Sequence, residues 1–154
     1  MTWNLEQIAS LATILGVLGG LISVYFVAHG ISRNTNAIEG ATVQSLMSFE
    51  YNVFSLVANN ASLYLRGCEE ITKLSKAERL SFDRIVGSQM SLSYSAFVQF
   101  GEHLIDDEVW EAYLNALKVN LRGPGFLVSW KAMEDRYPLS FRTMIEKVMP
   151  SAAS

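Results

Sequence analysis

Residues 8–28 read IASLATILGVLGGLISVYFVA, running from Ile8 to Ala28 without one charged side chain. At a rise of about 1.5 Å per residue, these 21 residues reach about 31 Å, the thickness of a bilayer's hydrocarbon core. The nearest charges are Glu6 on the amino side and Arg33 on the carboxyl side. The stretch therefore predicts one transmembrane helix near the amino terminus. A cleaved signal peptide would need a basic leading region, an apolar core of about 7–15 residues and a small-residue cleavage site. Residues 1–7 contain no Lys or Arg, the apolar run is longer than that core, and Val27-Ala28-His29 is a poor cleavage site. Trp3 at one end and Tyr25-Phe26 at the other stand where amphipathic rings favour the headgroup region.

All twelve Lys and Arg follow the apolar run, and Arg33 alone lies close enough for the positive-inside rule to act on it. The expectation is a single-pass protein of the bacterial inner membrane with its amino terminus outside and the larger carboxyl-terminal part in the cytoplasm. Within the run, Ala12, Gly16 and Gly20 recur every four residues and share one helix face, with Thr13, Gly19 and Ser23 nearby. Small residues in register let two helix backbones approach closely, so this face is the expected helix-packing site. The spacing does not distinguish another copy of the chain from a different membrane protein.

The organisation expected is an anchor over residues 1–31 and one helical domain over 32–154. That second part holds twelve basic and fourteen acidic residues, a net of −2, with no basic block, and so does not suit nucleic acid. A single cysteine, Cys68, excludes a disulfide within the chain and fits a reducing compartment. Its setting, Leu65-Arg66-Gly67-Cys68, suits a small packed residue better than a reactive thiol.

Apolar residues after the anchor recur at intervals of three and four, which predicts helices. Ile38, Thr42, Leu46, Phe49, Val53 and Leu56 mark one face of a helix over about 35–58, widened by Met47, Phe54 and Val57. That helix either continues from the anchor or follows a break near Gly30, and Asn59-Asn60 should end it. A short helix over 61–68 comes next. Ser75-Lys76-Ala77-Glu78 is a capping box opening a long helix with Phe82, Ile85, Val86, Gln89, Ser93, Ala96, Phe97, Phe100 and Leu104 on one face. Asp106 should cap a helix with an acidic first turn and a stripe of Trp110, Tyr113, Leu114, Leu117 and Leu121. Gly123 and Pro124 mark the next boundary, followed by Phe126, Trp130, Met133 and Tyr137. Ser140 should open a last helix carrying Phe141, Met144, Ile145 and Val148. The fold class expected is all-α: one transmembrane helix followed by a compact helical bundle.

These landmarks, taken in order, resemble a widespread bacterial family of short single-pass membrane proteins, uncharacterised in activity, with a helical carboxyl-terminal domain. The likeness lies in Tyr25 near the anchor's exit, the Asn34-Thr35 step, Ala41-Thr42 and Gln44. It continues through Leu65-Arg66-Gly67, Glu78-Arg79 to Phe82, Asp107-Glu108-Val109-Trp110-Glu111, Pro124-Gly125-Phe126 and Trp130. The chain departs from the family pattern around the Asn-Thr step, where it offers only Arg33 and then Glu39 in place of more basic residues. The resemblance implies an anchor and a helical domain, and brings no activity with it.

No catalytic, cofactor-binding or metal-binding residue is assigned. His29 reads as a polar residue at the membrane boundary. Glu102, His103, Asp106 and Asp107 are the one dense set of possible metal ligands, with Glu102 and Asp106 on one face if a helix continues through them. No Glu-x-x-His pair and no second histidine cluster completes such a site, and the two aspartates are accounted for as helix caps. The serines at 88, 91, 93 and 95 lie in no Gly-x-Ser-x-Gly elbow, and Arg122-Gly123-Pro124-Gly125 is a helix-to-helix turn without phosphate-loop spacing. The expected function is a non-catalytic, membrane-anchored interaction module that forms homo-oligomers in the lipid bilayer. The alternatives are an accessory subunit of a transporter or channel complex, and a ligand-binding sensor or enzyme in which Glu50, Glu102 or His103 faces inward.

Overall fold

A computed structural model of the chain describes the backbone of residues 5–149 and, within that range, the side chains of all except residues 5–19, 31–33, 35 and 36. Among the described residues the chain is all-helical, with no strand. Helix α1 (Leu5–Asn59) is followed by α2 (Ala61–Glu70), α3 (Lys76–Gly101), α4 (Asp107–Asn120), α5 (Pro124–Met133) and α6 (Leu139–Val148). Single 3₁₀ turns at Ile71–Lys73 and Glu134–Arg136 follow α2 and α5. The chain separates into two units, Met1–Gly40 and Ala41–Ser154.

In the first unit α1 runs through Gly30 without the break that glycine would permit, since no proline forces one. Residues 20–30 are exposed on every side, including Leu21, Ile22, Val24, Tyr25, Phe26 and Val27. Among the described residues no helix is long and apolar enough to cross a membrane. Of the stretch 8–28 that predicts a span, residues 8–19 lie outside the described side chains. So do Ala12 and Gly16 of the expected packing face. Gly20 is described: it is exposed, and a Cβ there would meet nothing within 4 Å.

The second unit begins inside α1, whose last turns bury Leu46 and Val53 with Phe49 beside them, a spacing of three and four. Met47 and Phe54, expected to widen that face, are instead 61% exposed and form with Tyr51 a separate outward stripe. Asn59 ends α1 as expected, and the Asn60 Nδ2 donates back to the Leu56 carbonyl at 2.9 Å, satisfying an acceptor that the helix end would leave open.

Helix α3 is the centre of this unit and buries two stripes. Phe82, Val86 and Met90 join Leu117, Leu121, Phe126, Trp130, Phe141 and Ile145 in the larger cluster. Leu92 and Ala96 join Leu46, Val53, Ile105 and Trp110 in the smaller one, and Phe97 and Met144 touch both. Phe141 is the hub of the aromatic core, with ring centroids 5.2 Å from Tyr94, 5.4 Å from Phe97 and from Tyr137, and 6.1 Å from Trp130. The edge-on and tilted arrangements suit ring quadrupoles.

Helix termini follow local chemistry. The Ser75 Oγ accepts from the Glu78 N–H at 3.3 Å, and the Glu78 Oε2 accepts from the Ser75 N–H at 2.9 Å, completing the expected capping box. The Asp106 Oδ1 accepts from the Val109 N–H at 2.8 Å and caps α4. Two expected boundaries shift. The last helix starts at Leu139 with Pro138 as its cap, because the Pro138 carbonyl already accepts from the Arg142 N–H at 3.1 Å; Ser140 is an exposed residue inside the first turn. Leu104 lies beyond α3, which stops at Gly101.

Candidate functional site

The stop at Gly101 removes the shared face expected for Glu102 and Asp106, since no helix spans them. His103 takes a φ of 57°, the left-handed region that non-glycine residues rarely enter. Its N–H donates to the Phe100 carbonyl at 3.0 Å and the Leu104 N–H to the Gln99 carbonyl at 2.8 Å, closing the helix end in a Schellman motif. Glu102, His103, Asp106 and Asp107 are all exposed. Their positions follow from ending one helix and starting the next. Among the described residues no group of three His, Cys, Asp or Glu could hold a metal ion.

The other residues singled out in the sequence stand apart from one another. His29 is exposed and stacks on Tyr25, with centroids 6.1 Å apart and planes within 4°. Glu50 is half-buried and accepts from the Tyr113 hydroxyl at 3.3 Å. Burial, with the Glu50 carboxylate beside it, pushes the Tyr113 hydroxyl up to about 12. Cys68 is half-buried, and burial raises its thiol above the ordinary value. A group so shifted is a poor nucleophile at neutral pH, which fits a packed residue. The Tyr64 hydroxyl, also pushed up to about 12 by burial, reaches the Gln89 Oε1 at 3.2 Å and joins α2 to α3.

The site the structure does assemble is a cavity of about 610 Å³ in the second unit. One wall is a face of α3, where Arg84, Ser88, Ser91 and Tyr94 follow at helical spacing. The facing wall comes from α5 and the turn after it, with Ser129, Met133, Arg136 and Tyr137, and Phe49 of α1 contributes an apolar edge. The Ser91 Oγ and the Tyr137 hydroxyl lie 3.4 Å apart and link the two walls. Gly87 opens onto the space, where a Cβ would come no nearer than 3.8 Å to the Met133 Sδ.

The carboxylate on this wall, Asp83, is already engaged. Arg79 holds it at 3.0 Å through its Nε, and the Ser129 Oγ donates to it at 2.5 Å from the opposite wall. Arg84 and Arg136 form no ion pair among the described residues. The cavity lining therefore carries two unpaired arginines beside one paired aspartate, although the whole chain carries a net charge of −3. The sequence offers Ser88 and Ser91 only as serines outside any nucleophile elbow, and neither arginine stands in a motif. The local signal is the polar stripe of Arg84, Ser88 and Ser91 at helical spacing on α3. Nothing local joins it to Arg136. Comparison of the chain with protein-family models, with curated proteins and with solved structures finds no match.

Proposed function

We propose that the chain is a non-catalytic, membrane-anchored helical module of the bacterial inner membrane that assembles with copies of itself, its helical domain on the cytoplasmic side. The observation that carries this is the surface of residues 20–30. Six large apolar side chains, Leu21, Ile22, Val24, Tyr25, Phe26 and Val27, encircle the helix, and each is at least 57% exposed. A helix apolar on all sides belongs inside a core or a membrane. Leaving a large apolar side chain in water forgoes about 1.5–3 kcal/mol. Six of them would together forgo on the order of 10 kcal/mol, comparable to the whole stability of a small domain. Residues 8–19 are equally free of charge in sequence, which brings the uncharged stretch to the length of a span.

Two features support assembly. The every-fourth spacing of Ala12, Gly16 and Gly20 supplies a close-packing face. In the helical domain, Met47, Tyr51 and Phe54 form an outward apolar stripe at i, i+4 and i+7 of α1.

Membrane sedimentation after carbonate treatment tests the anchor. The full chain should stay entirely in the pellet, and its release by carbonate or high salt would overturn membrane anchoring. Particle mass in mild detergent tests the assembly: Gly16→Ile or Gly20→Ile should yield a smaller particle, while Leu18→Ile should not. Unchanged mass in both glycine variants would remove the glycine face from the assembly. Co-purification of other chains at fixed stoichiometry would instead make the protein an accessory subunit of a larger complex.

A further inference from the structure

The cavity between α3 and α5 has the composition of an anion site rather than of a packing defect. Arg66, Arg79 and Arg142 each pair with a carboxylate. Of the described arginine side chains that do not, Arg84 and Arg136 share this one cavity, brought together from separate elements. The cavity is open to solvent and both arginines are exposed, so their guanidinium groups stay hydrated and within reach of an entering ligand. Asp83 lines the same cavity but makes its close contacts with Arg79 and Ser129. Two unpaired guanidinium groups facing one cleft make it a place where an anion would be favoured.

We infer that this cavity binds a phosphomonoester carried on an apolar body. A phosphomonoester carries about −1.5 to −2 charge near neutral pH and matches the two free guanidinium groups, whereas a carboxylate would neutralise only one of them. Each planar guanidinium can donate two parallel hydrogen bonds to phosphate oxygens. Tyr94, and whichever of Ser91 and Tyr137 accepts in the bond between them, line the same space with a hydroxyl proton able to reach the third oxygen or the ester oxygen, while the Ser88 hydroxyl donates to the Arg84 carbonyl. Phe49 and Met133 give the rest of the ligand an apolar wall. About 610 Å³ falls within the range of small-molecule sites. A soluble aromatic phosphate and the headgroup of a phosphatidic acid present the same chemistry to these residues. The site does not depend on the chain being membrane-anchored.

Calorimetric titration of the full chain in nonionic detergent tests this with phenyl phosphate, dihexanoyl phosphatidic acid and benzoate. At least one of the two phosphates should bind, and benzoate should bind at least tenfold more weakly. Arg84→Ala and Arg136→Ala should each weaken phosphate binding about tenfold or more, as expected for loss of a charge-assisted hydrogen bond. Both arginines are exposed, so these variants should keep the wild-type melting temperature. Gly87→Leu, which fills the space while leaving both arginines in place, should abolish binding. Preference for the phosphatidic acid assigns a lipid source, and preference for phenyl phosphate a soluble one; either supports the site. Binding of neither phosphate at millimolar concentration overturns it. So does benzoate binding as tight as the phosphates, or phosphate binding that survives replacement of both arginines.

Discussion

Gly67 and Gly125 stand far apart in sequence and meet in the fold. A Cβ on Gly125 would overlap the backbone carbonyl of Gly67, and a Cβ on Gly67 would fall within the Phe82 ring. Helices α2 and α5 therefore touch backbone to backbone, above an aromatic ring that is itself fully buried. Backbone cannot move aside as the end of a flexible side chain can, so one added methyl group must separate the two helices. Overpacking of this kind costs about 1–3 kcal/mol and occasionally more. Gly125→Ala should fall at or above the top of that range and lower the melting temperature by several degrees, since about 1 kcal/mol corresponds to roughly 2–8 °C in domains of this size. Gly87→Ala meets only the Met133 Sδ at an ordinary distance and, by removing a glycine from a helix interior, should leave the melting temperature unchanged or raise it slightly. Equal behaviour of the two variants in a thermal melt would show that α2 and α5 are not held at that contact. The sequence displayed both glycines within Leu65-Arg66-Gly67 and Pro124-Gly125-Phe126, but nothing in either triplet identifies the other as its neighbour.

Helix ends were the most legible features because their bonds join residues three or four apart. The Ser75 capping box, the Asp106 cap and the Gly123-Pro124 boundary all form as their local sequences require. The cap at Ser75 also reaches another helix: the Arg66 Nη2 on α2 donates to the Glu78 Oε1 at 2.6 Å. That guanidinium, and after it the Ser75 N–H, holds the Glu78 carboxyl down at about 2, against an ordinary value of 4.5. A carboxyl whose pKa is lower in the folded state contributes stability above its unfolded value and loses it as the pH falls towards the folded one. The contribution should be full above pH 4.5 and fade between pH 4.5 and about 2. The pair is exposed to solvent, so its amplitude is small and salt should reduce it. Melting temperatures of wild type and Glu78→Gln should converge as pH falls through that window, and parallel curves would contradict the link. Which stripe of a helix meets the core was less legible. Met47, Tyr51 and Phe54 are as apolar as Leu46 and Val53, and only the tertiary neighbours of α1 decide which set is buried. Met90 and Leu92 were missed because α3, packed on more than one side, does not have the single apolar face that periodicity seeks.

The two clusters of buried residues also predict where the chain can be shortened. Unit 2 begins at Ala41, so the last turns of α1 belong with α2 to α6 as part of one folded body. Their contribution is Leu46 and Val53, at 2% and 3% exposure, set against Leu92, Ala96, Ile105 and Trp110. Burial of each such side chain is worth about 1.5–3 kcal/mol, so removing both forgoes about 3–6 kcal/mol. The loss is large against the roughly 5–15 kcal/mol available to a domain. A chain starting at Ala41 should therefore fold cooperatively and, lacking the apolar surface of residues 20–30, remain in the supernatant when membranes are sedimented. A chain starting at Ala61 keeps α2 to α6 and the larger cluster but uncovers Trp110 and Leu92, and should melt at least 10 °C lower or fail to fold. Circular dichroism melts of the two fragments provide the comparison. Equal melting temperatures would mean that the smaller cluster does not stabilise the bundle and that α1 is dispensable to it. Phenyl phosphate titration into the Ala41 fragment carries the comparison to the cavity, because Phe49 is the α1 residue on its wall. The fragment retains Phe49, Arg84 and Arg136, and should bind as the full chain does.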